Sequence, residues 1–261
     1  MPIIQNLLVE DATLPPALPY MTPYTVSGQA SAGVSPSPVF SPLDIPGIAL
    51  WLRADLGITL ATGVSSWADQ SGNGNNVTQA TGSKQPTLVA SDGNFGGQAS
   101  LSFLGSSSQF LASATWGTSL GSPSTWYVVA RTTTAATTYF MDGQAVGNRN
   151  AILQNGSQTA LRGGVTVYPT VTCSSLGTAS VFCFVMNGSS SIIYQNSSSG
   201  PLGTALAMGT GSMLGMNVGI TYDSTSNPLT GSIAEIAGYS GAHTVAQVAQ
   251  FFAYATARYG V

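Results

Sequence analysis

The chain has 261 residues, of which 43% are hydrophobic and only 6% are charged, and its formal net charge is −3. This apolar content is enough for the packed core of one large domain or of two ordinary ones. Charged residues usually make up about 25% of a soluble domain, so neutral polar residues must cover most of this surface. Six Lys and Arg against nine Asp and Glu leave no basic stripe to neutralise a run of phosphates, which argues against nucleic acid as a partner.

The sequence also gives no sign of a membrane or export segment. No stretch approaches the roughly 18 consecutive apolar residues of a membrane-spanning helix. The first six residues lack the basic residues and the apolar run of a secretory signal, and acids follow at Glu10 and Asp11. We therefore expect synthesis in the cytoplasm and no membrane partner.

Residues 1–44 are predicted to form an extended arm. Nine of the chain's 14 prolines lie at or before Pro46, which disfavours both helix and central strand in this segment. The same segment is rich in Ile, Leu, Tyr and Met, and is too apolar for a solvated linker. We expect the arm to lie on its own domain or on a neighbouring subunit, with a second region at residues 45–261.

Strand patterns dominate from Ile48 onward. Residues 48–53 alternate between two faces, whereas residues 126–131 are apolar on both faces, as in a strand buried between layers. Further strands are predicted at residues 100–104, 139–141, 151–154, 165–168, 181–186, 192–195, 214–220 and 233–239. Many short strands with turn residues between them, and no alternation of strands with helices, indicate an all-β sandwich.

One helix is predicted at the end of the chain. Thr244 and Gln247 have the spacing of a capping box, and Gly260 would end a helix that runs to about Arg258. The apolar stripe of this helix is Val245, Val248, Phe251, Phe252 and Ala255. His243 precedes the cap, where a lone histidine is typical of a local hydrogen-bonding role.

The two cysteines, Cys173 and Cys183, fall on neighbouring predicted strands. Their spacing does not indicate a metal site. We expect two reduced, packed thiols, with a disulfide between them as the alternative.

The stretch at residues 66–76, S-W-A-D-Q-S-G-N-G-N-N, is the candidate ligand-binding site. Asp69, Asn73 and Asn75 place side-chain oxygens in one glycine-rich loop beside Trp67. Such oxygens suit Ca²⁺ or sugar hydroxyls, although Asp and Asn in turns also bond their own backbone while glycine supplies positive φ angles. We expect no cofactor, with Ca²⁺ at this loop as the alternative.

The sequence predicts no catalytic residues. Hydrolysis of a glycosidic bond needs two carboxylates, about 5 Å apart in a retaining enzyme. Glu235, between Ala234 and Ile236, is the only glutamate of the predicted sandwich, and we expect a buried or edge carboxylate capped by backbone donors. A Ser/His/Asp triad would have to use His243 without a nucleophile elbow. The protein is therefore predicted not to be an enzyme.

Several motifs carry a resemblance to a known family. D-I-P-G-I-A-L-W-L-R-A-D at 44–55, W-A-D-Q-S-G-N-G-N-N at 67–76 and K-Q-P-T at 84–87 resemble the opening of concanavalin A-like lectin/glucanase domains of the laminin-G-like type. Segments 185–191, 231–239 and 257–260 follow in that family's order. The resemblance covers about residues 44–261 and implies a jelly-roll sandwich of two antiparallel sheets whose first and last strands are adjacent. This superfold hosts lectins, hydrolases and inert structural modules.

The resemblance, the low charge and the arm together favour a bacteriophage virion structural protein, such as a capsid decoration, fibre or tail module. Neutral surfaces pack in symmetric arrays without like-charge repulsion. We expect a homo-oligomer in the virion, made in the host cytoplasm and attached to other virion proteins through residues 1–44, with weak binding of host-surface glycan as a secondary property. The alternative is a non-catalytic carbohydrate-binding lectin module that acts at a cell surface or on polysaccharide.

Overall fold

Short antiparallel β-strands dominate the computed structural model of the chain, which describes residues 40–163, 166–167, 171–172, 175–206 and 211–261. Residues 40–261 belong to one structural unit. The predicted arm at residues 1–44 lies outside the described residues except for its last five positions.

Twenty strands and one α-helix are assigned within those ranges. In chain order they are β1 (Ile48–Arg53), β2 (Ile58–Leu60), β3 (Val64–Trp67), β4 (Val77–Thr78), β5 (Thr87–Asp92), β6 (Gln98–Phe103), β7 (Leu111–Ser113), β8 (Leu120–Gly121), β9 (Ser124–Thr132), β10 (Thr138–Gly143), β11 (Asn150–Asn155), β12 (Gln158–Gly163), β13 (Thr166–Val167), β14 (Val171–Thr172), β15 (Ser180–Met186), β16 (Ser191–Gln195), β17 (Gly203–Leu206), β18 (Ser212–Met213), β19 (Met216–Val218), β20 (Gly231–Ser240) and α1 (Val245–Tyr259). Short 3₁₀ helices lie at Pro42–Asp44, Gly82–Lys84, Gly93–Phe95, Gly105–Ser107 and Gly188–Ser190.

Two large antiparallel sheets form the sandwich. The eight-stranded sheet has the order β17-β16-β15-β9-β20-β6-β5, with β1 also paired to β20. The ten-stranded sheet has the order β13-β12-β11-β10-β19-β7-β4-β3-β2, with β14 also paired to β12, and β18 and β8 form a separate pair. The predicted fold class, an all-β jelly-roll sandwich with one C-terminal helix, is confirmed.

Strand β20 joins the two ends of the chain. One edge of β20 pairs with β9 along its whole length, from Gly231 to Ser240. The other edge is shared, because its first residues pair with β6 and its later residues pair with β1, where Leu52 lies opposite Ile236. The first and last strands are therefore adjacent, as the family resemblance implies.

Strand β9 is buried on both faces, as predicted. Trp126, Val128 and Ala130 belong to the core between the sheets. Tyr127 and Val129 belong to a second core, which the eight-stranded sheet forms with helix α1. Both faces are apolar because this sheet is the middle layer of the domain.

Helix α1 begins and ends where its capping residues predict. Thr244 Oγ1 accepts a hydrogen bond from the Gln247 backbone N–H at 3.4 Å, and Gln247 Oε1 accepts one from the Thr244 N–H at 2.9 Å. Gly260, with φ of 71°, adopts the left-handed conformation that ends the helix. Phe251 stacks on Tyr127 of β9 with ring centroids 3.9 Å apart. This contact packs the apolar stripe of the helix on the sheet. Val245, predicted as part of that stripe, is instead exposed at the first position of the helix.

Several predictions change in detail. The strand predicted at 214–220 shortens to Met216–Val218, and only residues 166–167 of the one predicted at 165–168 are described. Cys183 is a buried free thiol, which accords with the expected reduced state, whereas Cys173 lies outside the described residues. In the part of the chain that the structure covers, no helix is long and apolar enough to cross a membrane.

Candidate functional site

Trp67, at the end of β3, is a core residue. Its side chain is fully buried, and its indole Nε1–H donates to the Arg53 carbonyl at 2.9 Å. The other three tryptophans, Trp51, Trp116 and Trp126, are also buried. None of them provides an exposed ring on which a ligand would stack.

The Asp69 carboxylate organises the loop that follows Trp67. Oδ1 accepts hydrogen bonds from the backbone N–H groups of Trp51 and Ser71, both at 2.9 Å. Oδ2 accepts from the Ser71 hydroxyl at 2.8 Å and from the Asn75 N–H at 3.0 Å. Both oxygens therefore already have donors from the chain itself, and Ca²⁺ would have to displace them to bind here.

Asn73 and Asn75 attach the same loop to β1. Asn75 Nδ2 donates to the Ala49 carbonyl at 2.9 Å. Asn73 Nδ2 donates to the Ile48 and Ala49 carbonyls at 3.1 and 3.3 Å, and to Ser71 Oγ at 2.9 Å. Since a carbonyl only accepts, both amide nitrogens must face the strand. The two Oδ1 atoms remain available to a ligand.

Two glycines give this loop its shape. Gly72 and Gly74 have φ angles of 89° and 73°, in the left-handed region that residues with a Cβ rarely adopt. Their alternation with Asn73 and Asn75 turns the chain back along β1. The sequence also allows Asp, Asn and Gly a structural role, in which Asp and Asn bond the backbone and Gly supplies positive φ angles. The residues of this loop have that role.

The loop forms one wall of a pocket of about 320 Å³. This volume is at the low end of the range of roughly 300–1,000 Å³ that is typical of small-molecule sites. The lining residues are Gly47, Ile48, Ala49, Asn73, Asn75, Gly117, Thr118, Ser119, Leu120 and Ser240. They combine amide and hydroxyl groups with small aliphatic side chains, and none is charged or aromatic.

The structure places the four candidate site residues differently. Asn73 and Asn75 line the pocket, Asp69 supports them from behind, and Trp67 lies in the core. The second wall, formed by residues 117–120 and Ser240, was missed from the sequence. These residues are ordinary turn and strand-end residues, and only the fold brings them beside the loop. No local pattern identifies them.

Glu235 of β20 lies at a second polar centre, which is fully buried under helix α1. Its Oε1 accepts a hydrogen bond from the Trp51 indole at 2.6 Å. Its Oε2 accepts from the hydroxyls of Tyr254 and Tyr259 at 3.0 and 2.5 Å. The expectation of backbone donors was wrong, because the donors are side chains of β1 and of the helix.

Burial dominates the electrostatics of Glu235. Desolvation raises the pKa of this carboxyl above its ordinary value, and the hydrogen bonds from Tyr259, Trp51 and Tyr254 offset only part of that rise. The carboxyl group connects the helix to the sheet.

His243 has the local role expected from its position before the helix. Its Nδ1 shares a hydrogen bond of 2.9 Å with the Tyr127 hydroxyl. Burial lowers the pKa of the imidazole to about 4, so the ring is neutral at pH 7. Its Nε2 is buried without a hydrogen-bond partner.

A buried ion pair was also missed from the sequence. Arg149 Nε donates to Asp142 Oδ1 at 2.9 Å, and the Tyr222 N–H donates to Asp142 Oδ2 at 2.9 Å. The Arg149 guanidinium lies over the Tyr222 ring, 4.3 Å from its centroid. These partners account for two charges inside the domain. Across the described residues, no three His, Cys, Asp or Glu side chains form a group that could hold a metal ion.

Comparisons with known proteins identify the fold. No family model matches the sequence, and no curated protein matches it. Solved structures do match. A Trypanosoma rangeli sialidase in complex with the inhibitor DANA is 11% identical with a TM-score of 0.53, over 78% of this chain and 32% of the sialidase chain. This chain thus spans about a third of the sialidase.

Two other solved structures are similar to the same extent. Domain 4 of AbnA, a GH43 extracellular arabinanase from Geobacillus stearothermophilus, in complex with arabinotriose, is 13% identical with a TM-score of 0.52, over 79% of this chain and 98% of that chain. The botulinum neurotoxin serotype D binding domain is 10% identical with a TM-score of 0.52, over 80% of this chain and 52% of that chain. At such identities the likeness shows the shared β-sandwich fold alone.

Proposed function

We propose that the sandwich is a non-catalytic carbohydrate-binding module whose site is the pocket between the loop at residues 71–75 and residues 117–120. The observation that carries this proposal is the uncharged pocket lining of amides and hydroxyls beside small aliphatic groups. Sugars present the same mixture of hydroxyl groups and C–H surface. The arabinotriose complex of the structurally similar arabinanase domain supports a sugar as ligand.

The hydrogen bonds of two carboxylates support sugar binding rather than hydrolysis as the function of this domain. Glu235 is fully buried and accepts hydrogen bonds from three side chains, so it is withdrawn from any bound sugar. Asp69 accepts four hydrogen bonds from its own loop and from β1. A glycosidase needs a pair of carboxylates that flank the scissile bond, and neither residue is free for that work.

The pocket is tested by filling it. A Cβ added at Gly117 meets no atom within 4 Å, so Gly117→Trp starts without a clash at Cβ and is expected to place a large ring in the pocket. Gly147 is equally open and does not line the pocket, so Gly147→Trp is the matched control. We expect the full-length protein and Gly147→Trp to bind the same sugars on a glycan array, whereas Gly117→Trp loses at least tenfold in affinity.

Two results would contradict the proposal. One is that the full-length protein binds no sugar on the array. The other is that Gly117→Trp binds as well as the control, which would place any sugar site elsewhere. Thermal unfolding of both variants checks that each is folded.

A second proposal concerns where such a module acts. The proline-rich, apolar residues 1–44 favour an assembly arm, and the nearly uncharged surface favours close packing in a homo-oligomeric array. We propose a virion structural protein, made in the host cytoplasm, that other virion proteins hold through this arm while the sandwich faces host glycans. Deletion of residues 1–40 is expected to leave a folded sandwich that no longer joins particles. Normal incorporation of the truncated protein would contradict this proposal.

A further inference from the structure

Many polar groups of the pocket's loop wall already hydrogen-bond within the protein. Both asparagine amide nitrogens donate to carbonyls of β1. The backbone N–H groups of Asn73 and Asn75 donate to Ser71 Oγ and Asp69 Oδ2, respectively. The loop wall therefore offers a ligand two amide oxygens, which accept hydrogen bonds, and the second N–H of Asn75 Nδ2, which donates one. Acceptors outnumber donors on this wall, so it favours a ligand that supplies donors.

The charged group next to the loop wall of the pocket is negative. The Asp69 carboxylate lies directly behind Asn75, since its Oδ2 accepts the Asn75 N–H at 3.0 Å. No cation lines the pocket. The chain as a whole carries a net charge of −3, so the long-range field also disfavours an anion.

None of the cations whose side chains the structure describes lines the pocket. Arg53 and Arg258 pair with Asp55, and Arg149 pairs with Asp142. Arg131 Nε donates to the Gly177 carbonyl, and Lys84 lies over the Phe110 ring. The backbone of Arg162 is on β12, near the opposite edge of the ten-stranded sheet from β3 and β4. Within the described residues, the pocket therefore offers no Lys or Arg to an acidic sugar.

We infer that the pocket selects neutral saccharides and rejects acidic ones, such as those that carry sialic or uronic acid. The hydroxyls of a neutral sugar donate to Asn73 Oδ1 and Asn75 Oδ1 and exchange hydrogen bonds with Thr118 and Ser119. A carboxylate has no donor to give those oxygens, faces the charge of Asp69, and gains no cation in return. This inference rests on the proposed function, because it names the class of sugar for the same site.

The test compares matched sugars on the full-length protein. Arabinotriose, xylotriose and lactose are the neutral probes, and the tightest of them is paired with its derivative that carries a terminal sialic or glucuronic acid. Isothermal titration calorimetry is expected to show at least tenfold weaker binding of the acidic member. Equal or tighter binding of the acidic member would overturn the inference and leave the proposed function intact, whereas failure of all three neutral probes would overturn both.

A variant that adds a positive charge to the pocket provides an independent test. Ser119 is exposed and lines the pocket, so Ser119→Arg supplies the missing cation, and Ser119→Gln is the control of similar shape without charge. We expect Ser119→Arg to narrow the preference for the neutral over the acidic sugar at least fivefold more than Ser119→Gln does, since both variants lose the Ser119 hydroxyl and only one adds a charge. An unchanged preference in Ser119→Arg would show that discrimination arises outside this pocket and would overturn the inference.

Discussion

Trp51 donates a hydrogen bond to each of two carboxylates, Asp69 and Glu235, which lie in different environments. The backbone N–H of Trp51 donates to Asp69, and its indole Nε1–H donates to Glu235. Asp69 is partly exposed and receives its other bonds from residues two and six positions away. Glu235 is fully buried and receives its other bonds from the tyrosines of helix α1.

One carboxylate shapes a surface loop and the other connects two layers of the core, so the oxygens of both are used in structural hydrogen bonds. The proposed sugar binding would then depend on the uncharged groups that line the pocket. Asp69 is bonded mainly within its own loop, whereas Glu235 is bonded by residues that are distant in the chain, and we expect the two to differ in their effect on stability.

The largest effect is expected at Glu235. Glu235→Ala leaves the Trp51 indole and two tyrosine hydroxyls without their acceptor in the core, and such losses cost about 3–5 kcal/mol of unfolding free energy. Glu235→Gln keeps the volume and one acceptor oxygen and should lose less. Urea denaturation followed by tryptophan fluorescence measures both. A loss below about 1 kcal/mol in the alanine variant would show that the helix does not depend on this carboxyl.

A smaller effect is expected at Asp69. Asp69→Ala removes four hydrogen bonds from a partly exposed loop, where water replaces some of them, so we expect a loss of about 1–3 kcal/mol. The same variant should weaken sugar binding because Asn75 loses its support, while Glu235→Gln should leave binding unchanged. Denaturation and calorimetry on both variants measure this. A loss in Asp69→Ala that matched Glu235→Ala would remove the contrast between the two sites.

The partly buried imidazole of His243 predicts a loss of stability in acid. An unfolded histidine has a pKa of about 6.5, whereas burial lowers the pKa of His243 to about 4. Between these values the unfolded chain binds a proton that the folded chain does not, so the free energy of unfolding falls as pH drops. Because the ring is partly solvated, we expect a fall of about 1–2 kcal/mol, less than the full shift would give.

His243→Gln isolates this contribution. Glu235 acts in the opposite direction, because its raised pKa stabilises the folded state as the pH falls. Tyr127 and Tyr239 lie beside the imidazole, and burial raises their pKa values further above this pH range, so they do not titrate in it. The variant should therefore lose less stability than the wild type between pH 6.5 and pH 4. Parallel stability curves for the two proteins would contradict the assignment.

A still smaller effect is expected at the surface. Asp55 pairs with Arg53 at 2.7 Å and with Arg258 at 2.6 Å, and all three side chains are partly exposed. Exposed ion pairs contribute about 0–1 kcal/mol, so Asp55→Asn should change the unfolding free energy by less than about 1 kcal/mol. A loss of unfolding free energy well above 1 kcal/mol by urea denaturation would contradict the expectation that these partly exposed pairs contribute little.

No effect is expected from calcium. Both Asp69 oxygens already accept hydrogen bonds, and Ca²⁺ prefers six to eight oxygen ligands. Thermal unfolding with millimolar CaCl₂ should match that with EDTA. A rise in Tm with calcium that Asp69→Ala abolishes would identify the loop as a metal site.

The sequence predicts those features that depend on neighbours along the chain. The capping box at Thr244, the apolar stripe of α1 and the two-faced pattern of β9 all follow from local periodicity. The bonds that Asp69 makes with Ser71 and Asn75 are equally local. These parts of the account could be derived from the sequence.

Long-range contacts explain what the sequence does not predict. Glu235 accepts a hydrogen bond from Trp51, which is 184 residues away in the chain. The second wall of the pocket, at residues 117–120, has no distinctive composition. Arg149 and Asp142 are only seven residues apart, on the hairpin of β10 and β11, but they were missed because both lie outside the strands predicted at residues 139–141 and 151–154. Strands β2 to β4 are two to four residues long, too short for an alternation to be visible.

The most direct test of a neutral-sugar pocket is a nuclear magnetic resonance titration of ¹⁵N-labelled full-length protein with the tightest neutral oligosaccharide. We expect chemical-shift changes at the Asn73 and Asn75 side-chain amides and at the backbone of residues 117–119, with the Trp51 indole unchanged. Changes confined to another surface, or none at saturating sugar, would contradict this expectation.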